Sequence, residues 1–228
     1  LTEKQQHDAA ADLLIKEVDE DLRHEQLTNL WKRHGIFVVG VGVAAVLAVA
    51  GWQGWRAWDG QQRKESSQRF HEVASLLEQG KRDQAIDELT RLAVDGASGY
   101  HLLANLRLAD LRQQQGDIAA AAAIYSAVAA DSSAEAVYRD MATIRAGYLT
   151  LDSTDPAQLD KMMEPLAVES SSWRHSAREL QALAALRRGD KPRAAELFAR
   201  LAEDAAAPEG MRTRAAEMLA VTGQADRG

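Results

Sequence analysis

LRQQQGDIAAAAAIYSAV, residues 111–128, decides how this chain is read. A helical run ends at Gly116, a residue that takes the left-handed turn conformation without penalty. Asp117 follows as a cap for a second helix. Ala121 stands five positions beyond the glycine, Tyr125 four further on and Val128 three beyond that. The pattern is that of a helical hairpin. A small residue at 121 lets the two helices approach closely, and Tyr125 fills the space towards the next hairpin.

The same spacing recurs on both sides. LLEQGKRDQAIDELTRL (76–92) has Gly80, Ala85, Leu89 and Leu92, and LRRGDKPRAAELFARL (186–201) has Gly189, Ala194, Phe198 and Leu201. The glycines lie 36 and 73 positions apart, so a further unit belongs in the longer gap. DSTDPAQLDKMMEPLA (152–167) supplies it: Asp155 as N-cap, Pro156 at the first helical position, then Leu159, Met163 and Leu166 at matching offsets. The first helices of the four hairpins are expected over 62–79, 99–115, 135–151 and 173–188. Their apolar positions include Phe70/Val73/Leu77, Leu103/Leu106/Leu111, Val137/Met141/Ile144/Tyr148 and Leu180/Leu183/Leu186. A last helix over 209–221, with Met211, Ala215 and Met218, closes the stack. One hairpin cannot bury its apolar face alone, so neighbours must stack. Composition agrees: Ala, Leu, Glu, Gln, Asp and Arg dominate and only four prolines occur, which predicts an all-α fold.

Upstream of the hairpins, IFVVGVGVAAVLAVAGWQGW (36–55) carries no charge and one strongly polar side chain, Gln53. A helix of this length spans about 30 Å, the thickness of a bilayer's hydrocarbon core. A backbone in lipid must satisfy its own hydrogen bonds, so a transmembrane helix is expected over 36–56. Trp52, Trp55 and Trp58 follow at three-residue steps, and Trp31 lies about 32 Å upstream of Trp52 along a helix. With Lys32 and Arg33 they read as membrane-interface residues whose partner is lipid. Gly40, Ala44, Ala48 and Gly51 form a small-residue stripe that lets another transmembrane helix approach. A cleaved signal peptide is the competing reading, since Ala48-Val49-Ala50 resembles a cleavage site. Against it stand the 35-residue acidic leader and the continuation of the apolar run to Trp55.

The leader over 10–34 places Leu14, Val18 and Leu22 on one stripe, continued by Leu27, Leu30 and Trp31. It reads as an amphipathic helix, either solvated or docking a cytoplasmic partner. Glu17, Asp19, Glu20 and Asp21 speak against its lying on anionic lipid. The chain's net charge is −7, with −3 on residues 1–35 and −4 on 56–228, and neither flank is basic enough to suggest nucleic acid. Residues 16–35 and 56–75 each carry four Lys or Arg, so only the tight Lys32-Arg33 pair favours a cytoplasmic N-terminus. Leu1 is not a start residue, so sequence upstream of it is expected.

The Gly–Ala–bulky–apolar spacing and the repeat length of 35–38 residues resemble degenerate tetratricopeptide repeats. A fuller resemblance joins them to the membrane region. Glu25-Gln26, Trp31-Lys32, Gly35, the small-rich span, Gly51-Trp52, Trp55 and Trp58 look like the ancillary subunit of the bacterial Sec translocon. That resemblance implies a single-pass protein of the bacterial inner membrane. Residues 1–35 would be a cytoplasmic leader, 36–56 the transmembrane helix and 57–228 a periplasmic tetratricopeptide-repeat-like domain. It implies partners as well: a SecYEG-type translocon, a membrane-anchored periplasmic chaperone and client polypeptides. The long leader departs from the shorter one of enterobacterial members. The implied role is a scaffold or chaperone; an accessory subunit of another inner-membrane complex, for division or respiration, is the alternative.

The chain has no cysteine, and His7, His24, His34, His71, His101 and His175 include no pair at metal-ligand spacing. Ser170-Ser171-Ser172 has no nucleophile-elbow context, and Ser171 or Ser172 is read as an N-cap. Arg187, Arg188, Lys191 and Arg193 form a basic cluster, read as helix-end charge or as a site for an acidic partner. No catalytic, cofactor-binding or metal-binding residue is expected, and an anchored hydrolase or isomerase has no constellation to support it.

Overall fold

Three turns set the geometry of the hairpins. At Gly80, Gly116 and Gly189 the backbone turns left-handed, with φ of 75°, 82° and 78°. In each, the glycine N–H bonds the carbonyl three residues back, and the next N–H reaches five residues back: Lys81 to Leu76, Asp117 to Arg112 and Asp190 to Ala185, at 2.9–3.0 Å. These are Schellman closures, which satisfy carbonyls that a helix end leaves open. The residue after the glycine is the N-cap of the next helix. Asp117 accepts from the Ala120 N–H and Asp190 from the Arg193 N–H, both at 3.2 Å. The glycine and the residue after it thus reverse the chain, and the Gly-Asp pairs read from the sequence act as turn and cap.

The computed structural model describes the backbone of residues 3–97 and 99–224 and the side chains of residues 32, 34–37, 39–97 and 99–222. Its contacts divide the chain into two units, Leu1–Gln61 and Gln62–Gly228. The helices are α1 (Glu3–Glu78), α2 (Arg82–Asp95), α3 (Tyr100–Gln114), α4 (Ile118–Ala130), α5 (Ala136–Leu149), α6 (Pro156–Met163), α7 (Arg174–Arg187), α8 (Lys191–Glu203) and α9 (Glu209–Gln224). A 3₁₀ turn, Glu164–Leu166, follows α6, and no strand occurs among the described residues. The fold is all-α, with stacked helical hairpins. The leader, the apolar stretch and the first hairpin helix, expected as separate elements, are one helix, α1. No proline occurs before Pro156, so nothing in the sequence removes a hydrogen bond from its ladder.

In the second unit the core is a series of four clusters, each built from three consecutive helices. Val73, Ala85, Leu89, Leu92, Ala104 and Leu108 join the end of α1 to α2 and α3. Leu102, Ala109, Tyr125, Val128 and Ala142 join α3, α4 and α5. Ile144, Leu159, Met163, Leu166 and Leu180 join α5, α6 and α7. Ala182, Ala194, Phe198, Leu201, Met211 and Ala215 join α7, α8 and α9. Each second helix of a hairpin therefore packs between two first helices, and α9 closes the series. Ala85, Ala121 and Ala194 have no exposed surface, and Tyr125, Phe198, Leu89 and Leu92 are each at most 2 % exposed.

The third hairpin is built differently. It has no glycine turn; Asp155 caps α6 through the N–H groups of Ala157 and Gln158 at 3.0 Å, behind Pro156. The loop carbonyls left open are gathered by Arg187, which donates to Leu151, to Thr154 at 2.7 Å and to Asp152 at 2.9 Å. Gly147 makes room for this seam: a Cβ there would stand 3.0 Å from Leu180 Cδ1 and 3.2 Å from Met163 Cε. In α5, Ala142, Ile144, Ala146 and Gly147 face inward; of the apolar positions expected there, Ile144 is buried, Val137 is exposed, and Tyr148 is partly exposed with its hydroxyl held by Glu179. In α3, likewise, Leu102 is buried and Leu103 exposed. In both helices the inward face is lined partly by alanine and glycine, which a reading that seeks large apolar side chains passes over.

Candidate functional site

In the first unit, the described part of the apolar stretch is a helix with its side chains open to the surroundings. The helix is long and apolar enough to cross a membrane. Gly40, Ala44, Ala48 and Gly51 are exposed, and nothing lies within 4 Å of a Cβ built on either glycine. Trp52, Trp55 and Trp58 are 58 %, 63 % and 61 % exposed, and the Arg56 guanidinium lies 5.4 Å from the Trp52 ring centre. Lys32 is exposed; the side chains of Trp31 and Arg33 lie outside the described residues.

In the second unit, two depressions of about 390 Å³ each lie on either side of the first turns of α5. The first, towards α3, is lined by His101, Leu103, Ser133, Glu135 and Tyr138. The second, towards the 165–173 loop, is lined by Val137, Asp140, Pro165, Val168 and Trp173. Their walls carry exposed apolar side chains: Leu103 at 41 %, Val137 at 53 % and Val168 at 48 %. The cations beside them are already engaged. Arg139 donates to the Ala134 carbonyl, Arg178 to the Ala167 carbonyl and to Glu169, and Arg174 pairs with Glu169. Among the described residues, Glu135 and Asp140 find no side-chain hydrogen-bond or ion-pair partner. Glu135 stands at the N-cap of α5 without capping it.

Two histidines of the hairpins serve as clasps. His101 Nε2 lies 3.2 Å from Asp131, the C-cap of α4, and His175 Nε2 lies 2.9 Å from Asp204, the C-cap of α8. Each joins the start of a first helix to the end of its partner. Asp131 also accepts from the Ser133 hydroxyl and N–H at 2.7 and 2.8 Å, and Asp204 from the Ala206 N–H at 2.9 Å. The Ser133 bonds, then His101, hold the Asp131 carboxyl at about 2 against its ordinary 3.8. The Ala206 N–H, then His175, lower that of Asp204. A carboxyl whose acidity is raised on folding stabilises the fold above its ordinary value and loses that contribution as pH falls towards the folded one. Urea midpoints are therefore expected to drop between pH 3.8 and about 2, and Asp131→Asn to flatten that part of the profile. A profile unchanged by the substitution would show that this carboxylate does not contribute.

No three or more His, Asp or Glu among the described residues are placed to hold a metal. In the basic cluster, Arg187 holds the α5–α6 loop, Arg188 meets Asp160 at 3.2 Å and Arg193 meets Glu196 at 3.2 Å. These arginines are bound within the fold. The N-cap of α7 is Trp173 rather than a serine, although Ser171 Oγ accepts from the Trp173 N–H at 3.1 Å. The depressions at α5 were not legible in the sequence, because Glu135 and Asp140 belong to no motif and only the structure shows Val137 exposed beside them.

The sequence matches the model of the tetratricopeptide repeat-like domain family over residues 28–221, which takes in the apolar stretch as well as the hairpins. No curated protein matches it.

Proposed function

The chain belongs to the tetratricopeptide repeat-like domain family, and from that premise we propose that it is a membrane-anchored interaction scaffold serving a protein-export channel. The family's fold serves protein–protein interaction, since stacked hairpins offer extended surfaces rather than a closed reaction centre. The observation that carries the reading is the union of that fold with a charge-free stretch long enough to cross a bilayer. Anchoring holds a repeat surface next to its partners, which raises effective concentration even where each contact is weak. The resemblance of residues 25–58 to the ancillary subunit of the Sec translocon supplies the finer form. In that form the chain crosses the bacterial inner membrane once, with residues 1–35 cytoplasmic and 57–228 periplasmic. It works beside a SecYEG-type channel and a membrane-anchored chaperone on emerging polypeptides. The open face of Gly40, Ala44, Ala48 and Gly51 is the surface offered to a neighbouring span.

A photocrosslinker at Ala44, activated in native membranes, tests this. The expected product joins the chain to a channel subunit. A division or respiratory subunit in its place selects the alternative complex and overturns the export reading. A reporter fused after Gly228 is expected to be active only outside the cytoplasm; a cytoplasmic signal overturns the topology.

A further inference from the structure

We infer that the two depressions flanking α5 form a docking groove for an extended polypeptide segment that presents apolar side chains together with Lys or Arg. The inference rests on the scaffold reading and names the chemistry of the segment bound. Apolar walls set one half of that chemistry. Leu103 faces one depression and Val137 and Val168 the other, all of them open to solvent rather than packed in the core. Charge sets the other half. His101 is paired with Asp131, and Arg139, Arg174 and Arg178 with backbone carbonyls or Glu169. That leaves Glu135 in one depression and Asp140 in the other as the lining charges without a partner among the described residues, and both are negative.

The helix macrodipole gives a structural reason for acids near the start of α5, but its effect fades within the first turn. Asp140 is the fifth residue of α5, beyond that reach. An acidic segment would meet two carboxylates with no cation free to answer them. A helix in the groove would have to ride over α5, whereas an extended chain can place one side chain on each side of it. The two sides of a helix are about 10 Å apart, the reach of three extended residues.

The probe is a labelled nonapeptide repeating Leu-Lys-Ser, added to the full chain in neutral-lipid nanodiscs, with empty nanodiscs as blank. Companion peptides replace Lys by Glu or Leu by Ser. The Leu-Lys-Ser peptide is expected to bind and both companions to bind weakly or not at all. The double variant Glu135→Gln, Asp140→Asn is expected to weaken binding about fivefold at low salt and to reduce its salt dependence. Val137→Ser is expected to weaken it in all salts. Asp87→Asn with Glu217→Gln, two exposed acids elsewhere on the hairpins, is expected to leave it unchanged. Equal binding of the Glu peptide, indifference to the Glu135/Asp140 variant, or no binding of any peptide overturns the inference. Those results leave the crosslink from Ala44 untouched, so failure of the groove and failure of the scaffold reading are distinguishable.

Discussion

Phe198→Ala is expected to destabilise the hairpin unit by about 3–5 kcal/mol, the cost of emptying a buried phenyl site. Phe198 is 1 % exposed and packs among Ala182, Ala185, Leu201, Met211 and Ala215. Alanines line much of that site, and a short side chain cannot swing in to fill a void. With a urea dependence of about 2 kcal/mol per molar, the midpoint should fall by at least about 1 M. The effect should also be local. In a stack whose clusters each draw on three neighbouring helices, stability is close to a sum of unit and interface contributions. Hydrogen exchange should therefore quicken first in α7–α9, with α2–α4 less affected. Val94→Ala, at a side chain 86 % exposed, should change stability by less than about 0.5 kcal/mol. A loss of protection spread evenly over all hairpins would contradict this account of the core.

Arg214→Met is expected to cost about 2–3 kcal/mol although Arg214 is itself largely exposed. The reason lies in its partner. Glu179 is 6 % exposed, and its carboxylate accepts from Arg214 Nε and Nη2 at 3.1 and 3.3 Å and from the Tyr148 hydroxyl at 2.5 Å. Burial first, and then the Glu179 carboxylate, push the Tyr148 hydroxyl's pKa up, so it stays a donor. The three side chains tie α5, α7 and α9 together across hairpins. Methionine keeps the apolar stem of Arg214 but leaves a buried carboxylate with one hydroxyl for company. Glu179→Gln in the Arg214→Met background should recover part of the loss. The two single effects should exceed the double by about 1–2 kcal/mol, measured by a double-mutant cycle in urea. Additive effects would show that the pair is not coupled.

Much of the architecture was readable because it is written in local chemistry. Gly116-Asp117 and Gly189-Asp190 each encode a turn and a cap within two residues, and Asp155-Pro156 encodes a helix start. The first helices expected from periodicity, over 99–115, 135–151 and 173–188, contain α3, α5 and α7 within one or two residues at each end. Less was readable in α5, where Gly147, Ala142 and Ala146 carry packing beside Ile144, while Val137 stays exposed. The groove was less readable still. It consists of side chains left over from the core, on three segments far apart in sequence, and no local pattern marks a residue that packing has excluded.

By itself, then, the sequence determined what depends on neighbours along the chain: an all-α composition, hairpin turns every 35–38 residues, and an apolar run fit for a bilayer. The tertiary structure alone decided what depends on neighbours in space. It made α1 one helix from Glu3 to Glu78, set Arg187 to closing a turn that has no glycine, buried Glu179 among three helices, and left Glu135 and Asp140 unpaired beside exposed apolar walls. The physical reason is that a charge or an apolar side chain takes its meaning from what surrounds it, and hairpins stacked at a fixed repeat bring together residues some 30 positions apart.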